Sequence, residues 1–192
     1  KYPKPDRCNL RRNADFSAAC KFMSNGNLHA LEMLLNRVGG TSDSFHLLRS
    51  HIDGNTILHH FLTNIHCYRN KNLLDILKLI TTESIFHSRN IDNKIPIVAF
   101  IQYLSWNKKA INSAINFDLV YSIFDILLNF GDFERHLDDY EYSCEILKYL
   151  MCYKNLNSRI LQLFVNANID FDVRIQVDCE YIYEETIPII IL

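Results

Sequence analysis

From Phe16 onward, apolar residues come in short clusters at helical spacing, separated by turn formers rather than polar linkers. Phe16, Ala18, Ala19, Cys20 and Phe22 predict a short helix. Asn25-Gly26-Asn27 ends it, because Gly and Asn accept the left-handed conformation that closes a helix. Leu28, Leu31, Leu34 and Leu35 recur at three- and four-residue steps and predict a second helix, stopped by Gly39-Gly40. The order then repeats. Leu58, Phe61 and Leu62 precede Leu73, Leu74, Ile76, Leu77 and Ile80; IPIVAFIQYL (95–104) precedes FDLVYSIFDILLNFG (117–131); and helices over 143–152 and 158–166 make a fourth pair. The closing EETIPIIIL has the pattern of one more first helix. No strand alternation appears beyond short pieces between pairs, so the expected class is all-α.

The segment Ile52 to Leu62, IDGNTILHHFL, sets the register. Asp53-Gly54-Asn55 predicts a tight turn, since Gly tolerates positive φ and Asp and Asn bond their own backbone. Thr56 follows as a helix N-cap. Weaker copies begin near Ile95, Tyr142 and Ile187, at gaps of 39, 47 and 45 residues. In the copy NIDNKIPIVAFIQYL, Pro96 fits the first helical turn, where no backbone N–H is needed. The turn, Thr56 and His59 resemble the ankyrin repeat, whose signature is a turn, Thr-Pro-Leu-His and two antiparallel helices. The resemblance implies a helical solenoid of stacked helix-turn-helix repeats with short finger loops, spanning 1–192 as one domain. Repeats fall at about 13–50, 51–89, 90–136 and 137–176, with a partial one over 177–192. An ankyrin repeat is about 33 residues, so each unit here carries extra loop residues. The resemblance also implies that His59, with Thr56, bonds within and between repeats and holds the turn.

Composition narrows the function classes. With 48% hydrophobic and 22% charged residues, the chain can build a core. A net charge of −2 argues against a dedicated nucleic-acid binder. Charge is uneven: Lys1 to Lys21 holds six bases against Asp6 and Asp15, whereas residues 132–192 are strongly acidic. The expected forms are a solvated basic arm and an acidic surface. Six cysteines without CxxC spacing fit a reducing interior, either cytoplasmic or nuclear. No window reaches the roughly 20 apolar residues of a bilayer span, so no membrane contact is expected in this segment. The chain starts without Met and ends within an apolar run, as expected for a piece excised from a longer protein.

Catalytic signatures are missing from the sequence. It holds no nucleophile elbow, HExxH or phosphate-gripping Gly loop. Asp138, Asp139 and Glu141 fall in an expected surface turn, where nothing would separate two carboxyl pKa values. His51, His59, His60, His66 and Cys67 are dense but lack the spacing of a zinc site. The expectation is therefore a non-enzyme without cofactor or metal, binding a protein partner, with self-association left open.

Contacts are expected on the finger loops, at Phe45, His46 and Arg49, at Ile85, Phe86 and His87, and at Phe133, Arg135 and His136, because aromatic residues and Arg anchor interfaces. The finger Phe residues have a second available fate, tucked under the hairpins. On the first helices, His60, Thr63, Asn64, Ile101, Gln102, Tyr149 and Tyr153 flank the buried stripe. Trp106 lies within Ser105 to Asn116, which the repeat does not require, and either folds back, extends the first helix or anchors a partner. The leading expectation is a protein-binding module. The alternatives are the ankyrin domain of a membrane channel and a viral or host-directed inhibitor of a signalling or transcription factor.

Overall fold

The computed structural model describes residues 7–39, 48–68, 71–106, 117–130, 140–151, 153, 156–167 and 169. Nine α-helices are described: α1 (Arg7–Asn25), α2 (Leu28–Gly39), α3 (Ile57–Thr63), α4 (Leu73–Ile80), α5 (Glu83–Phe86), α6 (Pro96–Trp106), α7 (Phe117–Phe130), α8 (Tyr140–Met151) and α9 (Ser158–Asn166). A 3-10 turn, Ile65–Cys67, follows α3. Among the described residues the only β pairing is an antiparallel bridge between Arg49 and Thr56. The chain is all-α.

Most of these helices are too short to persist alone, since nucleation costs more than a few backbone bonds return. Tertiary burial supplies the stability, and it follows a regular order. The first helices pack in chain order, α1 on α3, α3 on α6 and α6 on α8. The second helices do the same, α2 on α4, α4 on α7 and α7 on α9. One cluster runs through both series, from Ala19 and Met23 through Leu58, Phe61, Ile76, Ile97 and Phe124 to Phe164. Phe124 joins three helices, its ring 5.4 Å from Phe100 and 5.2 Å from Phe164. Each fully buried side chain of this size contributes about 1.5–3 kcal/mol.

Several boundaries differ from the sequence reading. The first helix begins at Arg7 and spans 19 residues, so part of the expected solvated arm is helical. The helix α8 begins at Tyr140, which places its cap position before Tyr142. The expected finger at Ile85 and Phe86 contains a helical turn, α5, capped by the Thr82 hydroxyl, with both apolar side chains buried. Trp106 extends α6 by a last residue.

Two turns join the pairs. Gly54 has φ +66° and Asn93 has φ +60°, at equivalent places 39 residues apart. Asn55 N–H and side-chain amide both donate to the Asp53 carboxylate, and the Asn90 side chain accepts from Asp92 and Lys94 N–H. The turns are also bonded to each other. Ile91 N–H donates to the Asp53 carbonyl at 3.1 Å, and the Asn90 amide donates to the Asn55 side chain at 2.9 Å. Arg49 donates to the Gly54 carbonyl of its own turn and, at 2.7 Å, to the Arg89 carbonyl of the next. Arg89 repeats the first of these, donating to the Asn93 carbonyl at 2.6 Å, and stands 3.6 Å from Glu145 of α8.

Gly54 is where this ladder tolerates no side chain. A Cβ there would meet Ile91 Cγ2 at 3.0 Å and Ile91 N at 3.2 Å, on a backbone already at positive φ. Gly54→Ala is expected to cost about 1–3 kcal/mol. Urea unfolding checks this, and an unchanged midpoint would refute the stacked turns.

Candidate interaction surface

The local sequence that builds the surface begins at Thr56. Its hydroxyl accepts from His59 N–H and donates to His59 Nδ1 at 2.8 Å, while Thr56 N–H also donates to Nδ1 at 3.2 Å. This is a capping box in which an imidazole replaces the usual Glu or Gln. With Nδ1 accepting, the ring proton sits on Nε2, which donates to the Lys94 carbonyl of the next turn at 2.8 Å. His59 is fully buried. Burial lowers its pKa to about 4; Arg49 pushes the same way, and the Lys94 carbonyl and Asp53 oppose.

Lys94, held by its backbone, sends its side chain along α6. Its ammonium donates to Gln102 Oε1 and lies 6.0 Å from the Trp106 ring centre and 5.6 Å from that of Tyr149 on α8. Such cation–ring contacts are worth about 0.5–1 kcal/mol near solvent. Trp106 is nevertheless 65% exposed, and Ile52 and Ile91, equivalent positions on the stacked turns, are 76% and 69% exposed. The arrangement offers a flat aromatic face, a cation and two apolar tips. Among the described residues no cluster of three His, Cys, Asp or Glu side chains could hold a metal ion.

The expected contact residues separate into groups. Phe45, His46, Phe133, Arg135 and His136 lie outside the described residues. Gln102 is buried with its Oε1 held by Lys94, which corrects the expectation of a contact residue there, whereas Trp106 stands exposed beside the same lysine. Arg49 is committed to two turn carbonyls, and burial lowers its pKa, so the expectation of a contact arginine gives way to a structural one. Phe86 is corrected likewise: it is fully buried, with the half-buried His87 ring edge-on at 5.1 Å. His60 packs edge-on against Phe16 of α1 at 5.6 Å, and burial, opposed by Asp53, lowers its pKa. Asn64 closes α3 by donating to the His60 carbonyl at 2.9 Å. Ile101 and Tyr153 are buried rather than displayed. Lys94 and the paired Ile52 and Ile91 were not anticipated. The 39-residue spacing that aligns the turns is the signal that would have found the isoleucines.

The low His59 pKa makes the surface sensitive to acid. Above the ordinary histidine value of about 6.5 the ring is neutral folded or unfolded, and its stabilisation is fully present. Below 6.5 the unfolded chain takes up a proton that the folded ring refuses, so stability falls as pH drops towards 4. The loss over that window is about 3 kcal/mol. His60 contributes in the same direction, so the wild type should be compared with His59→Gln. The variant is expected to be less stable at neutral pH and flatter between pH 6.5 and 4. Parallel curves from urea unfolding at several pH values would refute the assignment.

The chain matches no protein-family model, no curated protein and no solved structure.

Proposed function

We propose that the chain is an ankyrin-type helical solenoid serving as a protein-interaction scaffold. A partner docks on Trp106 at the end of α6, on the partly exposed edges of α3 and α8, and on the tips of the stacked turns. The chain itself performs no reaction on that partner. The observation that carries the reading is the repetition of one joint. Arg49 to Gly54 and Arg89 to Asn93 make the same bond one turn apart, and Ile52 and Ile91 are exposed at the same place in each. Chain-order packing of first on first and second on second helices supports it further. Modules stacked in this way bury their cores between neighbours and leave one edge of each free for recognition.

Trp106 supplies the anchor. A large exposed aromatic beside a lysine is the kind of group that dominates binding energy when a partner covers it. Thr63 and Asn64 lie on the preceding first helix and its cap, where they extend a polar rim. Among the described residues no helix is long and apolar enough to cross a membrane.

A photo-reactive residue placed at 91 or 106 is expected to cross-link a protein that the same residue at Val165, exposed on α9, does not. Trp106→Ala should abolish the link from position 91 while lowering stability by no more than about 1 kcal/mol, the worth of its contact with Lys94. Equal cross-linking from 165, or indifference to Trp106→Ala, would overturn the reading.

A further inference from the structure

The 3-10 turn between α3 and α4 carries a thiol in unusual company. Cys67 is exposed, and its Sγ lies 3.2 Å from Nε2 of His66. The other ring nitrogen, Nδ1, lies 2.6 Å from the hydroxyl of Tyr103 on α6, with the two rings nearly parallel. Thiol, imidazole and phenol therefore form a relay in which a neighbouring helix orients the base. That is the arrangement by which weak nucleophiles are activated. A second feature lies beside it. Tyr68 is 7% exposed, its ring stacked on Phe61 at 5.2 Å, and its hydroxyl has no hydrogen-bond partner among the described residues. Burial, then Cys20 and Cys67, raise the pKa of that hydroxyl, so it stays a neutral donor, on the residue that follows Cys67 in the chain. A buried donor left unpaired favours any acceptor atom brought next to it.

We propose that Cys67 is a peroxide-reactive thiol whose proton is taken by His66. The Tyr103 oxygen accepts Nδ1–H and keeps the Nε2 lone pair on sulfur, and the Tyr68 hydroxyl receives the added oxygen. In the step itself, Sγ attacks one oxygen of hydrogen peroxide, forming an S–O bond as the O–O bond breaks. The departing hydroxide takes the proton held on His66 and leaves as water. Sulfur loses two electrons to the peroxide, and Cys67 becomes a sulfenic acid, a state reversible by thiols. Cys20 is the internal contrast. Its environment is apolar, burial pushes its pKa up to about 12, and it stays a protonated, unreactive thiol. The inference goes beyond scaffolding and stands independently of it.

The test is treatment of the intact chain with hydrogen peroxide at neutral pH, with sulfenic acid trapped by dimedone and quantified on the Cys67 and Cys20 peptides. Native Cys67 is expected to react about tenfold or more faster than the same cysteine in urea-unfolded chain, and His66→Gln should remove that advantage. Tyr103→Phe keeps the ring and its packing but should still lower the rate several-fold, and Tyr68→Phe should shorten the lifetime of the sulfenic acid. Cys20 should remain almost unlabelled in every variant, which reports an intact fold. Native Cys67 no faster than unfolded, or unaffected by both His66→Gln and Tyr103→Phe, would overturn the proposal. An unchanged sulfenic acid lifetime in Tyr68→Phe would remove the tyrosine from it.

Discussion

One buried imidazole connects the parts of this chain that would otherwise be independent. His59 accepts at Nδ1 from the backbone and hydroxyl of its own helix cap and donates through Nε2 to the carbonyl of Lys94, 35 residues later. Both ring nitrogens are used, and a protonated ring would keep the bond to Lys94 but lose those that Nδ1 accepts from Thr56. Desolvation therefore prevails over the nearby Asp53 charge and keeps the ring neutral. The consequence reaches the surface, because Lys94 is both the carbonyl that His59 holds and the cation beside Trp106 and Tyr149.

The same reasoning explains why the turns are so heavily bonded. Helices of seven or eight residues, such as α3 and α4, have few backbone bonds of their own and gain stability only by packing on neighbours. Packing of apolar faces is permissive in direction. The arginine and asparagine bonds between turns are directional and fix each pair against the next. Rigid turns can then carry Ile52 and Ile91 at their tips in water, an exposure that packing alone would tend to remove.

Much of this was legible in the residues. Apolar spacing placed the second helices well, α9 at both its ends and α7 within a residue, because their buried stripes are strict. The cap at Thr56 and the positive φ of Gly54 followed from side-chain chemistry local to the turn. What escaped depends on tertiary partners. Arg49 and Phe86 looked like interface residues, since an arginine in a loop and a phenylalanine in a finger read alike whether they face solvent or a neighbouring turn. The reach of Lys94 to Gln102 and Trp106 required the turn to be set relative to α6, which no local pattern states. The relay from Cys67 to Tyr103 crosses 36 residues and two helix pairs, so spacing alone could not reveal it.

Nitrogen-15 NMR of the histidine rings reaches the central claim most directly. The account predicts that His59 shows a single neutral tautomer with its proton on Nε2, slow to exchange with water and unchanged as pH is lowered to about 5.5. A His59 ring that averages both tautomers and titrates near 6.5 would contradict it. The clamp between adjacent turns would then be absent from the folded chain.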